Sequence, residues 1–177
     1  MRLVPTDIRD LIVVESDPHR DERGYFHRLF DVETFEAAGI PFIARQSGIS
    51  HNAHTGTLRG LHYQKHPSAQ AKLVRCLNGR LFDVAIDLRP QSPTYCRWFG
   101  LELSANSHRA LFVPAGFAHG FLTLEDNTNI LYEISHIEIP ADAAGVRWND
   151  PIFKIVWPRE PAIINSRDAG YPDFLPD

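Results

Sequence analysis

The stretch that decides the fold runs from Gly56 to Asp87, with the sequence GTLRGLHYQKHPSAQAKLVRCLNGRLFDVAID. Its apolar residues fall in short strand-like runs, and the dipeptide Asn78-Gly79 separates the last two runs. Asn and Gly tolerate the positive φ angles of a type I′ hairpin turn better than other residues do. The stretch therefore predicts three successive antiparallel strands, which carry an arginine, a histidine and a lysine.

Arg59 and His62 belong to the first of these runs, and Lys72 belongs to the second. Side chains alternate between the two faces of a strand, so residues three positions apart normally point in opposite directions. Gly60 lies between Arg59 and His62, and a glycine inside a strand often marks a bulge. A bulge at Gly60 would bring both side chains to one face, where they could share a pocket.

Short strand-like runs occur along most of the chain, with Pro, Gly, Asn or Asp between them. A spacing of roughly 8–12 residues between such runs is typical of an all-β sandwich or barrel. The predicted strands are Leu11–Glu15, Tyr25–Phe30, Ile43–His51, Thr57–Gln64, Lys72–Leu77, Arg80–Leu88, Cys96–Leu103, Ala110–Val113, Gly120–Leu124 and Asn129–Ile137.

One helix is predicted from Asp31 to Gly39, because Asp31 can cap its first turn and Gly39 can end it. The segment from Ala141 onward is poor in strand signals but rich in aromatic residues and prolines, so we expect it to wrap around the sheets. We therefore predict a single all-β domain over residues 1–177, a cupin-type jelly-roll barrel with one short helix and a wrapping C-terminal tail.

One face of the predicted strand Arg80–Leu88 is unusually polar. Leu81, Asp83, Ala85 and Asp87 share this face, because side chains two residues apart point the same way. Burying two carboxylates in a core between sheets would be costly. The pattern therefore predicts that this face meets solvent or a wet cavity.

The composition is that of an ordinary globular protein, and it argues against some function classes. The chain has 177 residues, 44% of them hydrophobic, which suffices for a sizeable core. A net charge of −4 without a basic run argues against nucleic-acid binding, although a few clustered cations could still bind a small anion. There is neither the apolar core of a signal peptide near the N-terminus nor an apolar run of about 20 residues, so we expect a cytoplasmic protein without a membrane partner.

Cys76 and Cys96 are expected to be reduced thiols, with a disulfide as the open alternative.

The nine histidines divide into two groups. Seven are interpreted as surface or structural residues, from their polar, turn-like surroundings or their place on unremarkable strands: His19, His27, His51, His54, His66, His108 and His136. His62 and His119 are the candidates for chemistry, because His62 follows the predicted bulge and His119 follows the loop Pro114-Ala115-Gly116. A cupin metal site needs several converging imidazoles and carboxylates, whereas His62-Tyr63-Gln64 is not His-x-His and no Glu follows four or five residues later. We therefore expect no metal.

A set of motifs in fixed order resembles the dTDP-4-dehydrorhamnose 3,5-epimerase family, which are metal-free cupin-type enzymes of nucleotide-sugar biosynthesis. The resemblance covers nearly the whole chain and implies an isomerase that needs no cofactor. The motifs are DERGYF (21–26), GTLRGLHYQ (56–64), AKLVRC (71–76), FDVAIDLRPQSPTY (82–95), VPAGFAHGF (113–121), WNDP (148–151), IVWP (155–158) and SRD (166–168).

The resemblance also implies catalytic roles. His62 would be the general base, with Asp168 as its buried partner, and Tyr132 would be the general acid on the opposite face of the sugar. A 4-keto group makes the protons on C3 and C5 removable, because the resulting carbanion delocalises into an enolate. Histidine suits the base because its pKa lies near neutrality, and a carboxylate behind it would fix its tautomer. Lys72 would place positive charge near the enolate oxygen.

Binding roles follow from the same resemblance. Arg59 would grip the diphosphate, because a guanidinium can make paired hydrogen bonds to phosphate oxygens. Arg23 and Phe26, together with Gln46, would contact the nucleotide, partly from a partner subunit, which implies a homodimer. The resemblance makes His119 a further polar group of the pocket and gives Arg167 a basic binding position.

Several positions depart from the family pattern. Gly48 stands where the family has an Asn, and Glu138 replaces a Tyr that lies two residues before a Pro. A family carboxylate expected around Ala143 and Ala144 is missing. These changes affect recognition more than proton transfer, so we expect a different substrate or a different number of epimerised centres.

Taken singly, the same residues have ordinary structural interpretations. Tyr132 could be a strand aromatic, Asp168 a tail residue or helix cap, and Arg59 and Lys72 surface charges. The alternatives left open are an epimerase that acts at C3 alone, a 3,4-ketoisomerase acting on a different nucleotide sugar, a non-catalytic sugar-nucleotide-binding cupin, and a metal-dependent cupin.

Overall fold

The computed structural model describes residues 1–176. Thirteen strands and two short helices make up most of the regular structure. In chain order they are β1 (Arg2–Pro5), β2 (Ile12–Glu15), β3 (His19–Asp21), β4 (Gly24–Phe26), α1 (Val32–Ala37), β5 (Gln46–Asn52), β6 (Leu58–Gln64), β7 (Lys72–Asn78), β8 (Arg80–Asp87), β9 (Trp98–Ser104), β10 (Arg109–Val113), β11 (Phe117–Thr123), β12 (Thr128–Ile134), β13 (Ala143–Gly145) and α2 (Ser166–Ala169).

Two antiparallel sheets pack face to face, which confirms the predicted jelly roll. One sheet has six strands in the order β1-β2-β10-β7-β12-β5, and the other has five in the order β13-β6-β11-β8-β9. From β5 to β8 each successive strand belongs to the opposite sheet. Strands β3 and β4 form a separate hairpin.

The hairpin predicted at Asn78-Gly79 is wrong. Strand β7 pairs with β10 and β12 in one sheet, whereas β8 pairs with β9 and β11 in the other. Gly79 does take a positive φ of 78°, and a Cβ there would lie 2.5 Å from Thr128 Oγ1. Asn78 does not share the positive φ that a type I′ turn requires at both positions, and the turn carries the chain from one sheet to the other instead of joining two paired strands.

The polar face of β8 lies in the interior of the protein. The prediction that the whole face meets solvent or a wet cavity is therefore wrong. Leu81 and Ala85 pack in the core between the sheets with no exposed surface. Asp87 is equally buried, and Arg89 and Thr94 hydrogen-bond its carboxylate. Asp83 is also buried, and its carboxylate is hydrogen-bonded to His119, which lines the cavity described below. Internal hydrogen bonds thus make two buried carboxylates tolerable on one inward face.

The helix and the tail follow the predictions. Helix α1 is capped by Asp31, whose Oδ1 accepts a hydrogen bond from the Thr34 backbone at 2.9 Å. The C-terminal segment covers the outer face of the five-stranded sheet, where Phe153 and Trp157 pack against it. Strand β3 was not predicted, because its three residues are exposed and polar and show no alternation. Cys76 and Cys96 are free thiols.

Within residues 1–176, no helix is both long and apolar enough to cross a membrane.

Candidate active site

A cavity of about 290 Å³ opens at one end of the space between the two sheets. Strands β6 and β11 form one wall, and β5, β7 and β12 form the other. The predicted site residues that line it are Gln46, Arg59, His62, Lys72, His119, Tyr132, Glu138 and Arg167. The fold therefore gathers most of the predicted site in one place.

The bulge predicted at Gly60 is present, and it shapes this cavity. His62 pairs with His119 on β11, whereas Arg59 pairs with Phe121, so Gly60 and Leu61 of β6 lie opposite the single residue Gly120 of β11. His119 and Phe121 share a face, and the bulge therefore turns Arg59 and His62 to that same face. Gly60 has φ +125°, and a Cβ on it would lie 2.5 Å from the Cα of Gly120. Glycine at both positions allows the two backbones to approach this closely.

His62 and Asp168 form a hydrogen-bonded pair. His62 Nε2 lies 2.7 Å from Asp168 Oδ1, and the carboxylate is almost fully buried while 40% of the imidazole is exposed. The second carboxylate oxygen of Asp168 accepts a hydrogen bond from the Gly60 backbone at 3.0 Å. With Nε2 bound to Asp168, Nδ1 is the ring nitrogen of His62 left for proton exchange.

Asp168 remains a carboxylate despite its burial. Burial alone would raise its pKa, but the hydrogen bonds from His62 and from the Gly60 backbone outweigh it and lower the pKa below the usual value. Helix α2 fixes the residue, because Asn165 caps this helix and accepts a hydrogen bond from the Asp168 backbone at 2.7 Å. A short turn of the tail thus supplies the partner of a histidine from the sheet.

Lys72 lies on the opposite wall, buried at the start of β7. Its Nζ donates a hydrogen bond to the His62 carbonyl at 3.2 Å. Burial lowers the pKa of this ammonium group to about 8, although the carboxylates of Asp83 and Glu138 act in the opposite direction. Lys72 is therefore a cation whose charge depends on nearby carboxylates.

Tyr132 lies on β12 and packs against the core between the sheets. Its ring meets the ring of His119 edge to face, with 5.9 Å between centroids. Burial raises the pKa of the phenol well above its ordinary value, and the charge of Asp83 adds to this effect, whereas Arg59 opposes it. The phenol therefore keeps its proton at neutral pH and can act as a donor.

Asp83 was not predicted to lie near the site, but in the structure it lies behind His119 at the cavity. Its Oδ1 lies 2.8 Å from His119 Nε2, and both residues are buried. A signal was present, because Asp83 lies on the same strand face as Leu81 and Ala85 and must be inside if they are. What the strand pattern could not show is that His119 from another strand would meet it.

Of the residues that depart from the family pattern, Glu138, Ala143 and Ala144 line the cavity, and Gly48 lies next to it. Gly48 is paired with Tyr132, and no atom lies within 4 Å of the place where its Cβ would be. The Glu138 backbone donates a hydrogen bond to Gln46 Oε1 at 3.0 Å. Ala143 and Ala144 form part of the wall where they pair with β6. The substitutions therefore change the cavity wall itself.

Arg23 and Phe26 do not line the cavity of their own chain. Arg23 lies in the turn between β3 and β4, and Phe26 lies on β4. The exposed fraction of Phe26 is 66%. Arg23 is bound to the neighbouring Asp21 carboxylate. Their predicted contact with the nucleotide stays a prediction that requires a second subunit.

Comparison with known proteins gives the family. The model of the dTDP-4-dehydrorhamnose 3,5-epimerase family matches residues 5–175. The chain belongs to this family. The dTDP-4-dehydrorhamnose 3,5-epimerase of Shigella flexneri is 37% identical, over 99% of this chain and 97% of its own length. The Bacillus anthracis enzyme of the same name, in a crystal structure with TDP and PPi bound, has a TM-score of 0.94 at 38% identity and covers 98% of this chain and 99% of its own.

The family also includes enzymes named for a single centre. A dTDP-4-dehydrorhamnose 3-epimerase of Streptomyces niveus is 37% identical over 95% of this chain and 81% of its own length. The family is thus one of isomerase-class epimerases of deoxysugar biosynthesis, with members named for one or two centres. Among residues 1–176, no three histidine, cysteine, aspartate or glutamate side chains group together as a metal site.

Proposed function

We propose that this member of the family epimerises a nucleotide-linked 4-keto-6-deoxyhexose at C3, at C5 or at both. The observation that carries the proposal is the position of an imidazole and a phenol on opposite walls of one cavity. His62 lies on the five-stranded sheet and Tyr132 on the six-stranded sheet, and both face the same cavity. A sugar ring between them would meet the imidazole on one face and the phenol on the other.

The reaction begins when His62 removes a proton from a carbon next to the 4-keto group. Nδ1 receives the proton, while Asp168, hydrogen-bonded to Nε2, stabilises the imidazolium that forms. The electron pair of the broken C–H bond moves into the ring and places negative charge on the C4 oxygen. Lys72 supplies the positive charge that stabilises this enolate.

Inversion is completed when Tyr132 returns a proton to the opposite face. The phenol suits this step because its raised pKa keeps it protonated. The C–H bond forms on the side of the six-stranded sheet, and the electron pair returns from the oxygen to the ring carbon. No oxidant, metal or cofactor takes part in these steps.

The substrate is held through its diphosphate and its nucleotide. Arg59 and Arg167 line the cavity and carry charge of the sign that a diphosphate requires. Arg59 is held in place by Asn52 Oδ1, which accepts a hydrogen bond from its Nε at 2.8 Å. We assign Gln46 and, from the hairpin of a partner subunit, Arg23 and Phe26 to the nucleotide, so the working form is a homodimer.

Gly48 and Glu138 determine which sugar is accepted. The open space above Gly48 lies beside Tyr132, and Glu138 adds a carboxylate acceptor to a wall that otherwise carries cations. A substituent with hydrogen-bond donors, such as a hydroxyl, fits this corner. We therefore expect the substrate to be a sugar with a hydrogen-bond donor near Glu138.

The test is incubation of the purified protein with dTDP-4-keto-6-deoxyglucose, followed by NMR of the product. The proposal predicts inversion at C3, C5 or both, with the carbonyl still at C4. A carbonyl that moves to C3 would indicate a ketoisomerase instead. Tight binding of dTDP without any turnover would indicate a sugar-nucleotide-binding protein and contradict the proposal.

A further inference from the structure

A second histidine–carboxylate pair lies at the cavity besides His62–Asp168: His119 lines the cavity and Asp83 lies behind it. His119 Nε2 lies 2.8 Å from Asp83 Oδ1, and the exposed fractions of the two side chains are 2% and 0%. His119 is paired directly with His62 across the two neighbouring strands. With Nε2 bound to Asp83, the Nδ1 atom of His119 is the ring nitrogen left to face the cavity.

Asp83 has one carboxylate oxygen that is buried without a hydrogen-bond partner among residues 1–176. A buried anion of this kind is costly unless cations compensate it. The charge of Asp83 acts on Lys72, which is itself buried, and raises the pKa of Lys72 against the effect of burial. The same carboxylate therefore orients His119 and supports the charge of Lys72.

We propose that Asp83 is a positioning residue for the site that receives the C4 oxygen of the sugar. It acts through two neighbours, since it fixes the ring of His119 and keeps Lys72 an ammonium ion where enolate charge develops. This inference rests on the proposed function, because it needs a reaction with an enolate. It adds a role for Asp83 that neither the motifs nor the family match assigns.

The groups around Lys72 decide how its charge depends on pH. Asp83 faces it from β8 and Glu138 from the segment after β12, and both carboxylates favour the ammonium form. His62 from β6 contributes a carbonyl acceptor. His119 from β11 and Tyr132 from β12 share the cavity wall with it. Removal of the Asp83 charge should therefore let Lys72 lose its proton at a lower pH.

The test compares Asp83→Asn with the wild-type protein in kcat, KM and the pH profile of kcat. Asp83→Asn keeps the shape and removes the charge. We expect kcat to fall by about 100-fold and KM to stay within about threefold, because the lost stabilisation acts on the enolate. The ratio of kcat at pH 6.5 to kcat at pH 8.5 should rise several-fold.

Asp87→Asn is the matched control, since Asp87 is as buried as Asp83 and lies on the same face of β8 but is bound to Arg89 and Thr94 away from the cavity. It should leave kcat and its pH profile as in the wild type. Thermal unfolding of each variant reports whether it folds.

If Asp83→Asn does not fold, His119→Asn breaks the same pair from its other side. It should lower kcat at least tenfold without moving the alkaline limb, because the Asp83 charge remains.

An Asp83→Asn variant that folds and keeps the wild-type pH profile would overturn the inference, and so would a His119→Asn variant with kcat within about threefold of the wild type. A wild-type protein that turns over no 4-keto sugar nucleotide would instead contradict the proposed function.

Discussion

At the scale of single residues, buried carboxylates contact the basic groups of the cavity. Asp168 is hydrogen-bonded to His62 and Asp83 to His119, and the charge of Asp83 raises the pKa of Lys72 against the effect of burial. The sequence indicated His62, Lys72 and Tyr132 only through an ordered set of motifs, since each alone has an ordinary structural interpretation. Asp83 was not predicted to lie near the site, because its contact with His119 joins β8 and β11. A strand pattern does not contain such a contact.

Lys72 gives a prediction for pH dependence. Its pKa is lowered to about 8, so the ammonium is present below that pH and is lost as the pH rises through it. We expect kcat/KM of the wild type to fall about tenfold per pH unit on the alkaline side of this value. Lys72→Arg should be roughly 10–100-fold less active but flat over the same range, because a guanidinium stays charged. A profile that falls in the same way for Lys72→Arg would show that another group controls it.

At the scale of elements, the sequence predicted most strands but not their pairing. Alternation and turn residues located β6, β7 and β8 to within one or two residues, because these signals are local. Asn78-Gly79 correctly indicated a positive φ at Gly79 but not at Asn78. Whether the following strand pairs with the preceding one depends on the packing of two sheets. Helix α2 was missed because its four residues are too few for a periodic pattern.

Helix α2 carries the partner of His62, so its cap should affect catalysis. Asn165→Ala removes the acceptor for the Asp168 backbone and should cost about 1 kcal/mol in the free energy of unfolding. It should also lower kcat by about three- to tenfold with little change in KM, because Asp168 is held less firmly. Asp31→Ala is the matched control, since it removes the cap of α1 away from the cavity. Equal losses of stability with equal kcat values for the two variants would contradict the role assigned to α2.

At the scale of the whole molecule, the cavity of one chain lacks two of the predicted nucleotide contacts. Arg23 and Phe26 lie exposed on the β3–β4 hairpin and do not line the cavity of their own chain. The sequence could indicate this only through family resemblance, because contacts between subunits leave no local pattern. A homodimer in which each hairpin completes the partner's cavity would explain their exposure.

Mixing two inactive variants tests this arrangement. Phe26→Ala should weaken nucleotide binding and His62→Asn should abolish proton removal, so each homodimer should have little activity. In a mixed dimer, the chain with Phe26→Ala keeps its own His62 and receives an intact hairpin from its partner. Unfolding and refolding an equal mixture should restore about a quarter of the wild-type activity, because about half of the dimers are mixed and each has one intact cavity. Mixed dimers detected by mass spectrometry without any recovery would show that Phe26 acts within its own chain.

The central claim is that His62 removes the proton and Tyr132 returns it from the opposite wall. The most direct measurement is NMR of dTDP-4-keto-6-deoxyglucose incubated in D₂O with the wild type, His62→Asn and Tyr132→Phe. We expect deuterated, inverted product from the wild type and neither exchange nor inversion from His62→Asn. Tyr132→Phe should give substrate that has exchanged deuterium but kept its configuration, because the base can return a deuteron only to its own face. Inversion by Tyr132→Phe at the wild-type rate, or exchange that persists in His62→Asn, would contradict the account.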